Sequence, residues 1–337
     1  MMIAVLIVAH DNAGATAQCL RSLAPELGDD GSVWLLDNGS AAAQGQDLRE
    51  AARMPELAGR CHLRVSAENL GFAGGVNLLL AEVMAGPEIG QVLLLNNDTE
   101  PQPGFLQRLR ACLAQTPGAG MAAARMMAMD GGQVDSLGIC LYRSGLASNR
   151  KHVDERLLGP TGGCMLLSRK LLEDMHASHG YWFEQRFFCY AEDTDLVMRA
   201  RWLGHASAYA DDAVVLHHGS LSSGGADNEF VLYHGIRNSI WALARNAPAL
   251  WLLVHLPWLL LAHGGVIVRN LRKGRAGTVW RLYRDAIAGL PAMWQQRRLI
   301  RRRRRLPARA WWSWVEPRLY ERDYLRRAWR ELFGRNG

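Results

Sequence analysis

The sequence predicts an α/β protein whose central sheet is mostly parallel and is flanked by helices. Short apolar runs alternate with helical patterns along the first hundred residues, and each run ends in a polar cluster. Such alternation is typical of a parallel sheet covered by helices on its faces. The 337 residues, 49% of them hydrophobic, are enough for one large domain or two ordinary ones with a real core.

The first half of the chain follows the order β-α-β-α-β-α-β. The strand candidates are short and continuously apolar, as expected for strands buried on both faces. The predicted strands are Ile3–Ala9, Val33–Leu36, Leu63–Val65 and Val92–Leu95. The predicted helices between them lie near residues 15–23, 46–52 and 76–85.

The pattern beyond residue 100 is less regular but continues the same fold class. The predicted elements are a helix near 104–115, strands at 121–126 and 163–167, a helix over 192–203 and a last strand at 213–216. From about Phe230 the pattern becomes helical, and nine of the twelve Trp residues lie at or after Trp241. We therefore expect a catalytic domain over residues 1–235 and a helical, basic, Trp-rich region over 236–337.

Metal-binding residue types follow the strand Val92–Leu95. The segment NNDTEP places Asn96, Asn97 and Asp98 at the end of this apolar run. Open parallel sheets bind ligands beyond the carboxyl ends of their strands, and oxygen donors there suit Mg²⁺ or Mn²⁺, which bridges carboxylates to a diphosphate. A strand-ending turn is the structural alternative, because Asn, Asp and Pro all favour turns.

Two further segments after predicted strands fit a nucleotide ligand. Asp37 in LLDNGS is placed to bind a ribose or base, as acidic residues at strand ends do in dinucleotide folds, with a turn again as the alternative. The segment NLGFAGGVN, residues 69–77, has three glycines that could bring backbone N–H groups close to phosphate or sugar. Neither GxGxxG nor GK[ST] occurs there, so neither a dinucleotide fingerprint nor a P-loop is supported.

Acidic and imidazole groups recur later in the chain. Glu192, Asp193 and Asp195 crowd the start of the predicted helix over 192–203, where acids ordinarily cap the helix. An Asp among aromatic residues and other carboxylates can also serve as a general base, and this segment alone does not decide between the two. His217 follows the last predicted strand and could bind a metal, although a structural histidine is the more common outcome.

Eight segments, taken in chain order, resemble the family 2 glycosyltransferases with the GT-A fold, particularly the bacterial rhamnosyltransferase-like branch. The resemblance runs over roughly residues 3–240. The segments are VLIVAHDN, LLDNGS, ENLGFAGGVN, LLLNNDTEP, GGCMLLSR, FFCYAEDTDLVMRARWLG, LHHGSLS and RN. The family transfers a sugar from a nucleotide diphospho-sugar to an acceptor with inversion, using a divalent cation.

The resemblance assigns roles to individual residues. Asp98 and His217 would bind the cation, Mg²⁺ or Mn²⁺, Asp193 would be the catalytic base and Asp37 would bind the nucleoside. Asn96 stands where the family has the first Asp of its Asp-X-Asp element, which leaves one carboxylate at the metal. The further substrate-binding candidates are His10, Asn12, Asn69, Gly71, Gly74, Asn77, Asn97, Glu192, Ser220 and Arg237.

The basic, Trp-rich end predicts a membrane surface as partner. Residues 1–268 carry 19 Lys or Arg and 27 Asp or Glu, whereas residues 269–337 carry 20 and 5. The apolar stretch Pro248–Val268 is long enough to span a bilayer, but a single crossing would carry the following basic residues outside, against the positive-inside tendency. We expect a helix or helical hairpin lying in the cytoplasmic face of the membrane, with Arg301–Arg305 over the headgroups. Nucleic acid is the less favoured partner for the same arginines.

These observations predict an inverting glycosyltransferase that is peripherally attached to the inner face of the plasma membrane. It would transfer a sugar, with rhamnose from dTDP-rhamnose as one candidate donor, to a lipid-linked or polysaccharide acceptor. A nucleotidyl or phosphoryl transferase is an alternative, since the same acids could hold a metal nucleotide. A non-catalytic membrane or RNA-binding adaptor is a third. The six cysteines are scattered singly, which favours reduced thiols over disulfides or a zinc site.

Overall fold

The structure is a computed structural model that describes residues 2–57, 59–219, 227–322 and 324. The strands are β1 (Met2–Ala9), β2 (Gly31–Asn38), β3 (Cys61–Ser66), β4 (Ile89–Leu95), β5 (Thr99–Pro101), β6 (Ala119–Ala128), β7 (Val134–Ser136), β8 (Ile139–Tyr142), β9 (Ala147–Asn149), β10 (Cys164–Ser168), β11 (Ala206–His217) and β12 (Val315–Glu316). The helices are α1 (Ala13–Leu23), α2 (Ala42–Ala52), α3 (Gly71–Val83), α4 (Phe105–Gln115), α5 (Arg169–His179), α6 (Glu192–Trp202), α7 (Glu229–Asn246), α8 (Ala249–Arg272), α9 (Ala276–Arg303) and α10 (Trp311–Trp314).

The central sheet has a parallel half and a mixed half. Strands β3, β2, β1 and β4 are neighbours in that order and all run parallel, as predicted. Beyond β4, β10 runs antiparallel to both β4 and β6, and β11 is parallel to β6. The short strand β5 pairs antiparallel with β11 at the edge of the sheet. The carboxyl ends of β1, β2 and β4 therefore meet at one edge of the sheet.

Both faces of the sheet are buried, which explains why its strands are apolar at consecutive positions. Ala4 and Leu6 of β1 belong to the core beneath α3, α5 and α6. Ile3, Val5 and Ile7 belong to the core on the other face, beneath α1, α2 and α4. The six cysteines, all of them described, are free thiols as predicted.

Helix α3 begins earlier than its apolar pattern indicates. The glycine-rich segment forms the first turns of the helix, whereas the sequence predicts a helix only from about residue 76. A Cβ added at Gly75 would lie 3.0 Å from side-chain atoms of both Leu36 and Val8, so glycine allows the helix to approach the sheet closely. The glycines serve helix–sheet packing, which periodicity alone does not reveal.

The C-terminal helices are continuous with the core of the molecule. Helix α7 runs across the predicted boundary at residues 235/236 and packs against α6 and α9. Trp202 of α6 stacks on Trp311 with ring centroids 5.8 Å apart, and Trp251 and Trp314 join the same buried cluster. These tryptophans are internal, whereas Trp258, Trp280 and Trp294 are exposed.

Two of the five consecutive arginines Arg301–Arg305, which were predicted to lie over lipid headgroups, contact the protein itself. Arg305 donates to both carboxylate oxygens of Asp174, at 2.8 and 3.1 Å. The guanidinium of Arg304 lies 5.7 Å from the ring centroid of Trp202. Both contacts tie the end of α9 to the catalytic part of the chain.

Helix α8 is the one described helix that is long and apolar enough to cross a membrane. It has 24 residues, and only 11% of its most apolar stretch is buried. A helix this apolar would be mostly buried if it belonged to the core of a soluble protein. Its most exposed apolar side chains are Leu253, Leu260 and Leu250.

Candidate functional site

A cleft of about 640 Å³ lies at the carboxyl edge of the sheet. Part of its lining comes from the ends of β1, β4 and β11 and from the start of α6. The rest comes from α7 and from the turn between α8 and α9. A cleft of this size accommodates a ligand as large as a nucleotide sugar.

Strand pairing brings Asp98 and His217 together, although 119 positions separate them in the chain. Thr99 of β5 is the register partner of His217 of β11, and the His218 N–H donates to the Asp98 carbonyl at 3.0 Å. The His217 Nε2 atom consequently lies 3.3 Å from Asp98 Oδ1. The predicted convergence of these two side chains is present.

Asp135 completes this group, and no pattern in the sequence marks it as a site residue. It lies on β7, which pairs with β6 beside β11, and its Oδ2 is 2.6 Å from His217 Nδ1. This contact turns the other ring nitrogen, Nε2, toward Asp98. Burial lowers the pKa of His217. Hydrogen bonds to Asp135 and Asp98, together with the charges of these carboxylates, outweigh burial and raise this pKa to about 9. We call Asp98, Asp135 and His217 the cleft cluster.

Asp98 and His217 of the cleft cluster are residue types that bind divalent cations. His217 Nε2 is buried and faces the Asp98 carboxylate at 3.3 Å. A metal-binding histidine usually has its other nitrogen held by a carboxylate, as Asp135 does here. Among the described residues no group of three or more His, Cys, Asp or Glu is arranged around one potential metal position. Protein ligands would therefore number about two, which suits a cation that keeps waters and binds substrate phosphates.

Asp193 lies in the first turn of α6 and lines the same cleft. Its Oδ2 accepts from the Gly162 N–H at 2.8 Å, and its Oδ1 accepts from the Thr194 N–H at 2.6 Å. The Thr161 hydroxyl is a longer contact, at 3.4 Å from Oδ2. The two backbone N–H groups thus fix the direction of the carboxylate, and the contact with the Thr161 hydroxyl is the weakest of the three.

The two neighbouring acids of α6 have different surroundings. Glu192 is buried at the cleft, and burial, followed by the charge of Asp193, raises its pKa well above the usual range. Asp195 points into the core, where its oxygens lie 2.8 Å from Arg199 Nε and 3.3 Å from Arg245 Nε. Against the opposing effect of burial, the charges of Arg245 and Arg199 lower the pKa of Asp195. We call Asp195, Arg199 and Arg245 the core ion network.

Several predicted substrate-binding residues line the cleft beside these groups. His10 is held through Nδ1 by the Asn38 carbonyl at 3.1 Å, and Asn69 Oδ1 accepts from the Gly71 N–H at 2.8 Å. Asn97 donates to the Thr16 hydroxyl at 2.9 Å. The predicted residues that line the cleft are His10, Asn69, Gly71, Asn97, Asp98, Glu192, Asp193 and His217.

Other predicted residues lie outside the lining and support it. Asp37 is buried and accepts from the Ser40 N–H at 3.1 Å, and Asn12 precedes α1 in a left-handed conformation. Gly74 lies within α3, and Asn77 exchanges two hydrogen bonds with the Phe183 backbone, at 2.8 and 3.0 Å. Ser220 lies outside the described residues.

Arg237 is a buried brace for the aromatic segment that precedes α6. Its guanidinium donates to the carbonyls of Arg186 and Phe187 and lies 4.4 Å from the ring centroid of Trp241. Each of these contacts is internal to the protein. This side chain thus orders the wall of the cleft and is not a lining residue.

The first turn of α3 is closed by protein groups. The Ala73 N–H donates to the Phe188 carbonyl at 3.0 Å, and a Cβ added at Gly71 would lie 2.5 Å from the same residue. Gly71 also has a φ of +70°, which disfavours any other residue. The N–H groups of Gly71 and Ala73 are therefore already used within the protein.

Comparison with known proteins identifies the same region of the chain. The family model described as glycosyl transferase family 2 matches residues 4–175, about half of the chain. An N-acetylglucosaminyl-diphospho-decaprenol L-rhamnosyltransferase of Mycobacterium tuberculosis is 27% identical over 267 residues, which cover 71% of this chain and 82% of the relative.

Two solved structures resemble the fold. The mannosyltransferase PcManGT of Pyrobaculum calidifontis, solved with GDP-Man and Mn²⁺, has a TM-score of 0.53 and 15% identity, covering 89% of this chain and 85% of its own. S. aureus TarS has a TM-score of 0.50 and 16% identity, covering 72% of this chain and 39% of its own. At these identities the likeness concerns the fold alone, which is the predicted GT-A glycosyltransferase fold.

Proposed function

Because the chain belongs to glycosyl transferase family 2, we propose that it moves a sugar, with inversion, from a nucleotide diphospho-sugar to a lipid-linked acceptor at a membrane surface. The observation that carries this proposal is the meeting of Asp98, His217 and Asp193 in one cleft. The mycobacterial relative, named for rhamnose transfer to a diphospho-decaprenol carrier, supports a lipid-linked acceptor. It also makes rhamnose from dTDP-rhamnose the first donor to test.

Asp193 is the proposed catalytic base. The acceptor hydroxyl would displace the weak Thr161 contact, give its proton to the Asp193 carboxylate and attack the anomeric carbon through its oxygen. The bond from that carbon to the nucleoside diphosphate breaks on the opposite face, which inverts the configuration. The Gly162 and Thr194 N–H groups hold the carboxylate in a fixed orientation during this transfer.

Asp98 and His217 are the proposed ligands for Mg²⁺ or Mn²⁺. When bound, the cation would offset the negative charge that develops on the leaving diphosphate. Asp135 would fix the His217 ring so that Nε2 faces Asp98. Asp37 remains our candidate for the nucleoside, reached from the neighbouring end of β2.

Helix α8 is the proposed membrane-contacting element, lying along the surface. Near its first turn Trp251 is buried against Trp311, and near its last turn Asn270 lines the cleft. Both ends thus rest on one body, although the helix is about 36 Å long at 1.5 Å per residue. A bilayer crossing would break these contacts, which supports peripheral attachment, for which we favour the inner face of the plasma membrane.

Product analysis tests the proposed reaction. The full chain with Mn²⁺ or Mg²⁺, a panel of nucleotide sugars and a prenyl-diphosphate-linked N-acetylglucosamine should release nucleoside diphosphate and form a glycoside of inverted configuration. Release of pyrophosphate or inorganic phosphate would instead favour the nucleotidyl or phosphoryl transferase alternative. A thermal-shift screen of the same panel identifies the donor, because a ligand that binds the folded state stabilises it.

Vesicle flotation tests the membrane contact. The double variant Leu253→Glu/Leu261→Glu replaces two side chains that are 71% and 56% exposed, so folding should be unaffected and flotation with anionic vesicles should fall sharply. The matched control is Val153→Glu, at an apolar side chain that is 61% exposed and lies outside α8. Equal flotation of the double variant and the control would refute an α8 contact. Truncation after residue 235 is unsuitable, since it removes Arg245 and Trp251 from the core.

A further inference from the structure

The cleft continues beyond the candidate catalytic groups to a cluster of basic side chains. Arg269 and Asn270 of α8 and Arg275, which precedes α9, line the same cavity as Asp98, Asp193 and His217. From the sequence, this basic region is predicted only to contact a membrane. Its position in the cleft brings it within the space available to a substrate.

Two basic side chains of this part of the molecule share one carboxylate. Asp227 is shared between two cations, with its oxygens 2.7 Å from Lys273 Nζ and 2.7 Å from Arg275 Nη1. Arg269 is a further basic side chain that lines the same cavity. Arg275 is mostly buried, with 18% of its side chain exposed, so its guanidinium is held in place and loses little freedom on binding an anion.

The same cluster adjoins the exposed apolar face of α8. Val268 and Leu271, on either side of Arg269 and Asn270 in the chain, are 47% and 49% exposed. Leu260 and Leu261, further back along the helix, are 65% and 56% exposed. An anion bound at Arg269 and Arg275 would therefore lie at the boundary between the cleft and the membrane-contacting surface.

We infer that Arg269 and Arg275 form the subsite for the diphosphate of a prenyl-diphosphate-linked acceptor. The sugar of the acceptor would extend along the cleft toward Asp193, and the prenyl chain would leave over the apolar face of α8. Arginine pairs well with phosphate oxygens because its planar fork donates two parallel hydrogen bonds. This inference rests on the proposed function in that the acceptor is lipid-linked.

The test is binding of farnesyl diphosphate to the full chain in an uncharged detergent, with EDTA present so that no cation bridges the ligand to the cleft cluster. We expect Arg269→Gln and Arg275→Gln each to weaken binding about tenfold, and the double variant about a hundredfold, since each removes charge-assisted hydrogen bonds. Farnesol, which lacks the diphosphate, should bind wild type and double variant equally weakly. Arg275→Lys, which keeps the charge beside Asp227 but lacks the planar fork, should have an affinity between those of wild type and Arg275→Gln.

Arg302→Gln is the matched control, because it removes one positive charge from an exposed position of α9 outside the cleft lining. It should bind farnesyl diphosphate within about twofold of wild type. Two outcomes overturn the inference: a double variant that binds as wild type does, or an equal loss in Arg302→Gln. A fold comparable to that of wild type, checked by circular dichroism and thermal melting, is required of each variant compared.

Two further measurements distinguish the acceptor diphosphate from the donor diphosphate and from lipid headgroups. Binding of UDP or dTDP with Mn²⁺ should be unchanged in the double variant, and a parallel loss would assign the arginines to the donor diphosphate and overturn the inference. Flotation with phosphatidylglycerol vesicles should also be unchanged, and a loss there without a change in farnesyl diphosphate affinity would assign them to lipid headgroups. Failure of wild type to bind any nucleotide would count against the proposed function, while the farnesyl diphosphate result would still decide the subsite.

Discussion

The core ion network and the cleft cluster contain the same kinds of side chain in opposite surroundings. In the core ion network, Asp195, Arg199 and Arg245 have fully buried side chains, and the carboxylate charge is offset by permanent guanidinium cations. In the cleft cluster, two carboxylates face one imidazole whose positive charge depends on a proton. The first arrangement holds the core together, whereas the second is the proposed cation site.

The difference between neighbouring acids arises from helix geometry. Asp193 and Asp195 are two positions apart on α6, and residues at this spacing point to different sides of a helix. Asp193 therefore faces the cleft while Asp195 faces the core. An acidic run in a sequence thus contains both functional and structural members, and the variants below distinguish them.

Replacement of Asp193 should have the largest effect. We expect Asp193→Asn to reduce turnover by about 10²- to 10⁴-fold, since a general base contributes roughly that much. Nucleotide affinity should stay near that of wild type, because the side chain keeps its size and its contact with the Gly162 N–H. Steady-state kinetics and nucleotide titration measure the two quantities. Turnover close to that of wild type would show that Asp193 is not the base.

Replacement of Asp195 should instead destabilise the fold. Asp195→Ala would remove the carboxylate nearest to the buried Arg199 and Arg245, leaving Arg245 only Glu184 at 3.6 Å, and we expect the free energy of unfolding to fall by about 3–5 kcal/mol. Asp211→Ala is the control, since Asp211 is 60% exposed in its pair with Arg125, and it should cost no more than about 1 kcal/mol. Urea denaturation measures both. A similar cost for the two variants would remove the distinction between core and surface pairs.

Replacement of Asp135 should weaken cation binding while leaving the fold intact. We expect Asp135→Ala to reduce Mn²⁺ affinity about 10- to 100-fold, the usual loss when the carboxylate behind a metal-binding histidine is removed. Electron paramagnetic resonance titration of Mn²⁺ gives the affinity directly. Asp130→Ala, in the turn between β6 and β7, is the control and should bind as wild type does. Unchanged affinity in Asp135→Ala would mean that the cleft cluster does not hold the cation.

Breaking the Asp174–Arg305 ion pair should have the smallest effect, because this pair is more exposed to solvent than the core ion network. Hydrogen bonding from Arg305, against a smaller opposing effect of burial, lowers the pKa of Asp174 to about 2. Because the folded pKa is depressed, the stabilisation is present above the unfolded value of about 3.9 and is lost as the pH falls through about 2. Arg305→Gln should therefore cost less than about 1 kcal/mol at pH 7.

Denaturation curves recorded from pH 7 to pH 2 measure this pair. The difference between wild type and Arg305→Gln should be constant at neutral pH and shrink between about pH 4 and pH 2. A difference that grows on acidification would contradict the assignment. Arg303→Gln, exposed on the last turn of α9, serves as the control.

The parallel half of the sheet was predictable because its strands carry their own signal. Strands β1, β2 and β4 are continuous apolar runs between helical patterns, and their polar ends, including Asp98, therefore meet at one edge. Strand β5 has no such signal, since Thr99–Pro101 is short and polar and becomes a strand only by pairing with β11. Helix α5 has no counterpart among the predicted elements, although Ser168 caps it in the ordinary way.

Site residues were predictable where they adjoin a helix or strand that the sequence pattern indicates clearly. They were not predictable where only the packing of distant segments brings them to the cleft. Asp193 and His217 stand at the ends of recognisable elements, and the structure brings them to one cleft. Asp135 reaches His217 from a three-residue strand, and Arg275 reaches the cleft through a turn between two long helices. Neither contact has a local pattern, because each depends on how distant elements pack.

Strand β12 and the stacked pair Trp202–Trp311 impose an order on synthesis. Trp202 is synthesised more than a hundred residues before Trp311, on which its indole stacks. Strand β8 is separated from its partner Val315 by a still longer stretch of chain. The nascent protein must therefore hold part of its future interior open to water until the last helices emerge. Chaperone dependence during translation is the cellular consequence.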